Sequence, residues 1–325
     1  MNQVTVVIPN YNGIKYIREC LQTLRDQEED TPEYETIVVD NGSSDGSVGV
    51  IEEEFPEVSL IRLSENTGFC HAVNVGIENA HTPFVILLNN DTKVYPDFIK
   101  ALYRAMDADK ALFAVSAQML MWDDPELLDD AGDQYNAFGW AYARGKGKPA
   151  ADYAQMRNVF SACGGAAIYR KTVFEQIGLF DEVHFAYLED LDIGYRARIF
   201  GYRNAYTPDA KVVHYGSAST GSRYNEWKTV QAAANNVYVV YKNMPLLQIL
   251  WNLPFLLIGF FVKYLFFVRK RMGILYLKGL KKGFGKCFSD RGRKAKIRFQ
   301  KKNFGNYCDI QMKLYTNLFW FFKKD

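Results

Sequence analysis

Carboxylates occur in this chain where apolar runs end, and these are the residues that could do chemistry. The run Val85-Ile86-Leu87-Leu88 is followed by Asn89-Asn90-Asp91-Thr92, which predicts a buried strand that delivers Asp91 to a sheet edge. Open α/β sheets bind ligands at the carboxyl ends of their strands, so Asp91 lies where a metal or a phosphate could bind. The alternative is an ordinary turn, with Asp91 or Thr92 capping a helix over residues 96–106.

A second group of carboxylates offers proton transfer. Glu189, Asp190 and Asp192 lie within four residues and follow the aromatic residues Phe185 and Tyr187. Crowding in apolar surroundings raises the pKa of carboxylates, so at least one could accept a proton near neutral pH. The alternative is an acidic first helical turn with arginines at positions 196 and 198 as partners, and we favour it for Glu189 and Asp192.

The elements that must position these groups alternate along the first 90 residues. The apolar patterns predict strands at 4–8, 36–39, 58–63 and 84–88, and helices near 17–24, 45–55 and 69–80. Such alternation predicts an α/β fold with a right-handed, mainly parallel sheet and helices on both faces. The loops after the strands then meet at one edge.

Those loops are polar, and they carry the candidate ligand-binding residues. Pro9-Asn10-Tyr11-Asn12-Gly13, Asp40-Asn41-Gly42-Ser43-Ser44 and Glu65-Asn66-Thr67-Gly68 follow the first three strands. Asp40 is placed to accept a hydrogen bond from a ribose hydroxyl or a base N–H, as acidic residues do in nucleotide-binding α/β folds. Neither the dinucleotide glycine fingerprint nor the P-loop motif is present. For any single loop residue, a turn that satisfies its own backbone is an equal alternative.

Two later features have open interpretations. Gly164-Gly165 precedes a strand-like run, and this pair would either bring the backbone close to a ligand or form a bulge. His214, one of four histidines, ends another strand-like run. A lone histidine at a strand end is more often structural than a metal ligand.

Taken in order, four segments resemble family 2 glycosyltransferases of the GT-A fold over residues 1 to about 240. They are VIPNYN at 7–12, VVDNGSSDGS at 38–47, NTGF at 66–69 and LNND at 88–91. The resemblance implies a sugar-nucleotide donor with Pro9, Tyr11 and Asp40 at its base and ribose. The predicted donor site also includes Asn66, Gly68 and Asn90 from these segments, and Gly165 from the glycine pair.

The resemblance also implies roles for the charged residues. Asp91 corresponds to the metal-binding member of the D-x-D motif, although Asn89 replaces the first carboxylate. Asp190, in the family's E-D-x-D segment, would be the general base, and His214, in H-x-G, would supply an imidazole to the metal. Asp91, His214 and diphosphate oxygens would complete a Mg²⁺ or Mn²⁺ shell. A single in-line displacement would invert the anomeric configuration.

Composition limits the classes of protein. A chain of 325 residues with 48% hydrophobic residues forms a real core, which excludes a disordered protein. The first residues enter a strand pattern without a signal-peptide pattern, so we expect a cytoplasmic catalytic part. Five widely spaced cysteines without a C-x-x-C pair indicate neither a disulfide framework nor a zinc site.

The carboxyl-terminal part differs sharply in charge. Residues 246–325 hold 18 Lys/Arg against 3 Asp/Glu, whereas residues 1–245 hold 21 against 34. Residues 246–268 form an apolar stretch of 23 residues, long enough to span a bilayer. A single crossing would separate the catalytic part from the basic tail, so we expect an interfacial or re-entrant arrangement on an anionic membrane surface. A helical hairpin buried against the catalytic part is the alternative.

We therefore predict a catalytic domain at 1–240 and a basic, helical, membrane-associating region at 241–325. A fragment ending near Tyr241 should then be soluble and bind donor. The resemblance to bacterial rhamnosyltransferases makes dTDP-rhamnose the first candidate donor and UDP-sugars the second. The expected acceptor is a polyprenol-linked intermediate or a glycan of the cell surface, and the expected location is the cytoplasmic face of the membrane. A non-catalytic nucleotide- or glycan-binding module is the alternative, and we expect no nucleic-acid partner.

The aromatic segment between residues 119 and 157 is the least readable. Trp122, Tyr135, Phe138, Trp140 and Tyr142 lie there among glycines and acidic residues. Aromatic faces stack on sugars but also pack cores, and we expect acceptor contacts here.

Overall fold

The computed structural model describes residues 2–216 and 225–319. Its strands, in chain order, are β1 (Val4–Asn10), β2 (Tyr34–Asp40), β3 (Ser59–Arg62), β4 (Phe84–Leu88), β5 (Thr92–Val94), β6 (Leu112–Met121), β7 (Leu128–Asp130), β8 (Asp133–Tyr135), β9 (Ala141–Ala143), β10 (Arg157–Val159), β11 (Ala166–Arg170) and β12 (Arg203–His214). Its α-helices are α1 (Ile17–Arg25), α2 (Ser47–Glu54), α3 (Phe69–Asn79), α4 (Phe98–Asp107), α5 (Lys171–Ile177), α6 (Glu189–Ile199), α7 (Glu226–Asn243), α8 (Leu246–Arg269), α9 (Gly273–Phe288), α10 (Asp290–Ala295) and α11 (Phe304–Thr316).

The predicted strand and helix alternation in the first 90 residues is confirmed, and β4 has the predicted bounds. The reason is the apolar pattern, because every residue of β4 is buried between helices on both faces. The alternative is wrong in its helix cap, although Asn90 and Asp91 do form a turn. Thr92 begins the short strand β5, and α4 starts later with Asp97 at its N-cap and no side-chain cap.

The main sheet has the strand order β10-β12-β6-β11-β4-β1-β2-β3. The four strands β4, β1, β2 and β3 are mutually parallel, so their carboxyl ends and polar loops meet at one edge, as predicted. Strand β11 is antiparallel to both β4 and β6, while β12 runs parallel to β6. The α/β fold class is confirmed as a mixed sheet whose first half is parallel.

Helices cover both faces of this sheet. Alternate side chains of β1 point to opposite faces, so Val6 joins a core with α1, α2 and α4, whereas Val7 joins a core with α3, α5 and α6. Both cores are closed to solvent, which fixes the sheet edge as a rigid platform for the loops.

The carboxyl-terminal helices pack into the same body. Leu256 of α8 and Ile310 and Leu314 of α11 share a buried core with Tyr195 of α6. Gly259 of α8 lies so close to the 135–141 loop that a Cβ there would sit 2.0 Å from the Phe138 carbonyl oxygen. Removing these helices would expose that core, so the packing argues against an independently folding fragment that ends near Tyr241. The division near residue 240 stays a proposal.

Helix α8 turns the polar Gln248 and Asn252 inward and most of its apolar residues outward. Gln248 and Asn252 are buried and form hydrogen bonds with Gln311 of α11 at 2.8–3.0 Å. On the opposite side, Leu247 and Trp251 are 81% and 69% exposed. Within the described residues, α8 is the one helix long and apolar enough to cross a membrane, and it is mostly uncovered. A surface helix in water shows the reverse pattern.

The contact at Gly259 predicts the outcome of a small substitution. Gly259→Ala should destabilise the protein by roughly 1–3 kcal/mol, because the added methyl group overlaps a backbone carbonyl that cannot rotate away. Gly285→Ala in α9 is the matched control, since its Cβ would meet nothing within 4 Å. Denaturant unfolding of both variants checks this, and equal stabilities would contradict the packing of α8.

Candidate active site

The structure brings Asp91 and His214 together. His214 ends β12, which pairs antiparallel with β5 so that His214 lies opposite Thr92. The backbone N–H of Tyr215 donates to the Asp91 carbonyl oxygen at 3.0 Å, and His214 Nε2 lies 3.3 Å from Asp91 Oδ1. Two segments more than 120 residues apart thus place a carboxylate and an imidazole in contact.

A third residue, which the sequence did not single out, orients the imidazole. Asp129 of β7 contacts His214 Nδ1 at 2.8 Å and also pairs with Lys146. Burial opposes a charged imidazole, but hydrogen bonds to Asp129 and Asp91 outweigh burial and raise the pKa of His214 to about 9. The pocket therefore favours a positive charge between its two carboxylates.

This donor set fits a divalent cation. A carboxylate oxygen and an imidazole nitrogen converge, and the second ring nitrogen is already held by a carboxylate, as is usual for histidines that bind metals. A shell completed by phosphate oxygens suits Mg²⁺ or Mn²⁺. Asn89 has no carboxylate to contribute to this shell of metal ligands.

A second group has the spacing of metal ligands but holds a lysine. Ligand atoms of Asp181, His184 and Asp192 lie within 4.8 Å of one another. The Lys242 ammonium lies 2.8 Å from both carboxylates, so the position of a cation is already filled. We assign this group a structural role.

The loops after β1, β2 and β4 are tied together by Asn10. Its Nδ2 donates to Asp40 Oδ1 and Ser47 Oγ at 2.9 Å, and its Oδ1 accepts from Asn90 Nδ2 at 2.8 Å. Gly13 permits this contact, because a Cβ there would lie 2.2 Å from both amides. Asp40 and Asn90 are therefore fixed in one network at the sheet edge.

The remaining predicted donor residues surround this network. Asn66 and Gly68 accept hydrogen bonds from Asn41 at 3.2 Å, and Tyr11 is 37% exposed beside a half-buried Pro9. Gly68 has φ +90°, and a Cβ there would lie 2.6 Å from the Phe185 ring. The third loop is thus packed against the segment that precedes Asp190.

Asp190 lies in the first turn of α6 and is largely buried. Its Oδ1 atom has no hydrogen-bond partner among the described residues, which is unusual for a buried carboxylate. Burial raises the pKa of Asp190 to about 7, although a backbone hydrogen bond from Gly164 opposes the rise. These are the properties of a group that accepts a proton near neutral pH.

The glycine pair joins Asp190 to the Asp91 loop. A Cβ at Gly164 would lie 2.4 Å from Asp190 Oδ1, and a Cβ at Gly165 would lie 3.1 Å from the Asn89 side chain. The Asn89 N–H also donates to the Gly165 carbonyl oxygen at 2.9 Å. Gly164 is therefore the member of the pair that approaches Asp190, and only Gly165 was predicted at the site.

Of the neighbouring carboxylates, Glu189 also has a buried oxygen without a partner among the described residues, and Asp192 does not. Burial and then the charge of Asp190 hold the pKa of Glu189 well above its usual range. Burial would also raise the pKa of Asp192, but Lys242 and Arg196 hold it well below that range. The structural interpretation of Asp192 is confirmed by its ion pair with Arg196 at 2.9 Å, and the raised pKa expected for at least one of the three carboxylates is found at Glu189 and Asp190.

The aromatic segment serves mainly the packing of the carboxyl-terminal helices. Tyr135 is fully buried, and Trp140 Nε1 donates to the Gly259 carbonyl oxygen at 3.0 Å. Tyr142 donates its hydroxyl to the Asn317 carbonyl oxygen. Trp122 alone of the five is largely exposed, and it stacks on Tyr215 beside His214 at 3.7 Å between ring centroids.

Comparisons with known proteins found a similar sequence and similar folds. A Mycobacterium tuberculosis protein named N-acetylglucosaminyl-diphospho-decaprenol L-rhamnosyltransferase is 29% identical over 214 residues, which are 57% of this chain and 67% of that protein. The structure of S. aureus TarS 1-349 in complex with UDP-GlcNAc matches 96% of this chain and 89% of its own, with a TM-score of 0.60 and 17% identity. That of GalNAc-T7 with UDP, GalNAc and Mn²⁺ matches 74% of this chain with a TM-score of 0.61 and 14% identity, and this chain spans only 48% of it.

The two structural likenesses establish the fold alone. The family profile described as Glycosyl transferase family 2 matches residues 5–178, more than half of the chain. Its match covers the sheet edge and the loops that hold Asp40 and Asp91. This protein belongs to glycosyl transferase family 2 and is a glycosyltransferase.

Proposed function

We propose that this protein is an inverting, metal-dependent glycosyltransferase of bacterial cell-surface glycan synthesis, with Asp190 as the general base. The observation that carries the proposal is the meeting of two groups at Gly164-Gly165. Asp190, with its unpartnered oxygen, abuts Gly164, and the Asp91 loop abuts Gly165. A proton acceptor and a cation-binding pair then face one sheet edge.

In this proposal, different residues bind the donor, hold the metal and accept the proton. Asp40 and the network around Asn10 hold the nucleoside, with Pro9, Tyr11, Asn66, Gly68, Asn90 and Gly165 lining the donor site. Asp91 and His214 would hold Mg²⁺ or Mn²⁺, which would stabilise the charge that develops on the departing diphosphate. Asp190 accepts the proton of the acceptor hydroxyl. At the same time, the hydroxyl oxygen attacks the anomeric carbon from the side opposite the departing diphosphate. One displacement inverts the configuration.

The substrates follow from the relatives. The mycobacterial relative is named for transfer of L-rhamnose to a polyprenol-linked acceptor, which supports dTDP-rhamnose as the first donor and a polyprenol-linked or glycan acceptor. The TarS and GalNAc-T7 structures are named with UDP or a UDP-sugar, which supports UDP-sugars as the second candidate. The GalNAc-T7 structure is also named with Mn²⁺.

The competing function is a donor- or glycan-binding module without turnover. Asn89 favours it, because the cation pocket has one carboxylate fewer than the D-x-D motif offers. Asp190 opposes it, since a buried carboxylate with an unpartnered oxygen is costly and a binding module gains nothing from it. Release of nucleoside diphosphate from donor by the purified protein distinguishes the two.

The exposed face of α8 supports a position on the membrane. Its apolar residues face outward while Gln248 and Asn252 are satisfied inside, so the helix is suited to an apolar environment. Arg269, Lys270 and Arg271 follow directly and suit anionic headgroups. We place the enzyme on the cytoplasmic face of the cell membrane, where sugar nucleotides are made, with α8 in the interface.

The base assignment predicts the effect of Asp190→Asn. The amide keeps the shape but cannot accept the proton, so kcat should fall by roughly 10²- to 10⁴-fold while donor binding stays nearly unchanged. For the wild-type protein, kcat should rise with pH through about 7 and then level off, because Asp190 must be deprotonated to act. Transfer assays across pH, with donor binding by calorimetry, check both.

Wild-type rates in Asp190→Asn would transfer the role to Glu189. A kcat that falls as pH rises through 7 would also oppose a carboxylate base.

The cation pocket predicts a graded loss of Mn²⁺ binding. Asp91→Asn removes a direct ligand and should abolish Mn²⁺ binding in the presence of nucleoside diphosphate. Asp129→Asn leaves the ligands in place but frees the His214 ring, so affinity should fall by roughly 10- to 100-fold. Asp123→Asn, at an exposed position nearby, is the control. Unchanged Mn²⁺ affinity in Asp91→Asn, measured by electron paramagnetic resonance, would remove this pair from the proposal.

The membrane proposal predicts resistance to salt. Salt screens the basic residues but not the apolar surface, so high salt should release little protein from anionic vesicles whereas detergent releases it. Replacing both Leu247 and Trp251 with Glu should weaken vesicle binding, since burying each side chain contributes about 2 kcal/mol. Met156→Glu, at an exposed apolar position outside α8, is the control in the same sedimentation assay. Full release by salt alone would contradict insertion of α8.

A further inference from the structure

The segment that leads into Asp190 has a strained backbone. Phe185, Tyr187 and Leu188 all have positive φ, at 63°, 72° and 64°, and none of them is glycine. Such a conformation is unfavourable for a residue with a side chain and persists only where surrounding contacts enforce it. Leu188 is the N-cap of α6, so the conformation of this segment, called here the 183–188 loop, sets the position of Asp190.

One buried amide enforces this conformation. Asn235 of α7 is fully buried, and its Nδ2 donates to three carbonyl oxygens of the loop: His184 at 3.0 Å, Ala186 at 2.9 Å and Tyr187 at 2.7 Å. Its two N–H bonds are shared among three acceptors. Gln231, one turn earlier on α7, also donates to the His184 carbonyl oxygen. The positive φ values turn these three carbonyl groups inward, and the amides of Asn235 and Gln231 supply their hydrogen bonds.

A lysine from the carboxyl-terminal helices orients that amide. Lys286 of α9 donates to Asn235 Oδ1 and to the Val183 carbonyl oxygen, the latter at 2.7 Å. With Oδ1 fixed by an ammonium, Nδ2 must face the loop carbonyls. Lys282, one turn before, donates to Gln231 Oε1 at 3.0 Å in the same way.

The close packing of α9 against α7 makes the contacts of Lys286 and Lys282 with α7 rigid. A Cβ at Gly283 of α9 would lie 2.6 Å from the Ala234 carbonyl oxygen of α7, and a Cβ at Gly279 would lie 2.6 Å from the Ala233 Cβ. Two glycines thus let α9 lie directly on α7. The α8–α9 hairpin, whose outer face is apolar, therefore reaches the 183–188 loop through one layer of side chains.

We propose that Asn235 is a positioning residue for Asp190, oriented by Lys286, so that the membrane-facing α8–α9 hairpin is part of the catalytic apparatus. This inference rests on the proposed function of Asp190 as the base. It extends that function by assigning a second role to the carboxyl-terminal helices. They hold the base in place as well as meeting the membrane.

The test uses full-length protein in anionic vesicles. Asn235→Asp keeps the size of the side chain but replaces the shared donor with a carboxylate facing three carbonyls. We expect kcat to fall roughly 100-fold, the scale of a 1 Å misplacement, with donor affinity within about twofold of wild type. Lys286→Met should lower kcat in the same manner, and Lys286→Arg should restore most of it. Lys281→Met removes an equal charge from the exposed face of α9 and is the control.

Hydrogen–deuterium exchange of the 183–188 amides gives a readout that does not depend on transfer. It should increase in Asn235→Asp and Lys286→Met and stay at the wild-type level in Lys281→Met. Unchanged exchange in a folded Lys286→Met protein would overturn the inference, and so would a loss confined to KM or donor affinity. If the wild-type protein transferred no sugar while loop exchange still rose in both variants, the proposed function would fail and the loop contacts would stand. Should Asn235→Asp not fold, the two Lys286 variants decide.

Discussion

The fold around Asp190 depends on a buried pair of carboxylates that is neutralised by two cations. Asp192 is fully buried and contacts Lys242 at 2.8 Å and Arg196 at 2.9 Å, while Asp181 shares the Lys242 ammonium. Removing one partner from such a group leaves a charge out of water, at a cost of about 3–5 kcal/mol. These ion pairs therefore hold helices α6 and α7 together. The side chains of α7 that contact the loop before Asp190 have a fixed position as a result.

Charge balance also explains why one acidic cluster is structural and the other is available for a cation. Around Asp192, two carboxylates meet Lys242 and Arg196, and no charge is left over. Around His214, Asp91 and Asp129 meet a single lysine, Lys146, which contacts only Asp129. The imidazole between them balances the remaining carboxylate only by holding a proton, which its raised pKa of about 9 favours. A divalent cation would take the place of that proton, which proximity of ligand atoms alone does not reveal.

The local sequence pattern was sufficient to predict the first half of the fold and the residues at the edge of its sheet. Strand β4 and the loops holding Asp40 and Asp91 follow from apolar runs that stop at polar residues, and parallel pairing then brings the loops together. Asp129 was missed because its partner His214 is 85 residues away, and a three-residue strand in an irregular segment carries no periodic signal. Gly164 was passed over for Gly165, since a sequence cannot tell which member of a pair faces a carboxylate. Long-range pairing, not composition, decided these cases.

The same limit applies to the carboxyl-terminal helices, whose basic and apolar composition indicates a membrane surface but not a connection to catalysis. That connection depends on the inward faces of α7 and α9, where Asn235, Lys286 and the glycines at 279 and 283 lie. On composition alone, Lys286 is one more basic residue in a basic tail. In the structure it is half-buried and donates to the Val183 carbonyl oxygen. The α8–α9 hairpin, whose outer face is apolar and whose inner face contacts the loop before Asp190, would couple the membrane surface to the active site. Under the proposed roles, a displacement of the hairpin would move the loop that positions Asp190.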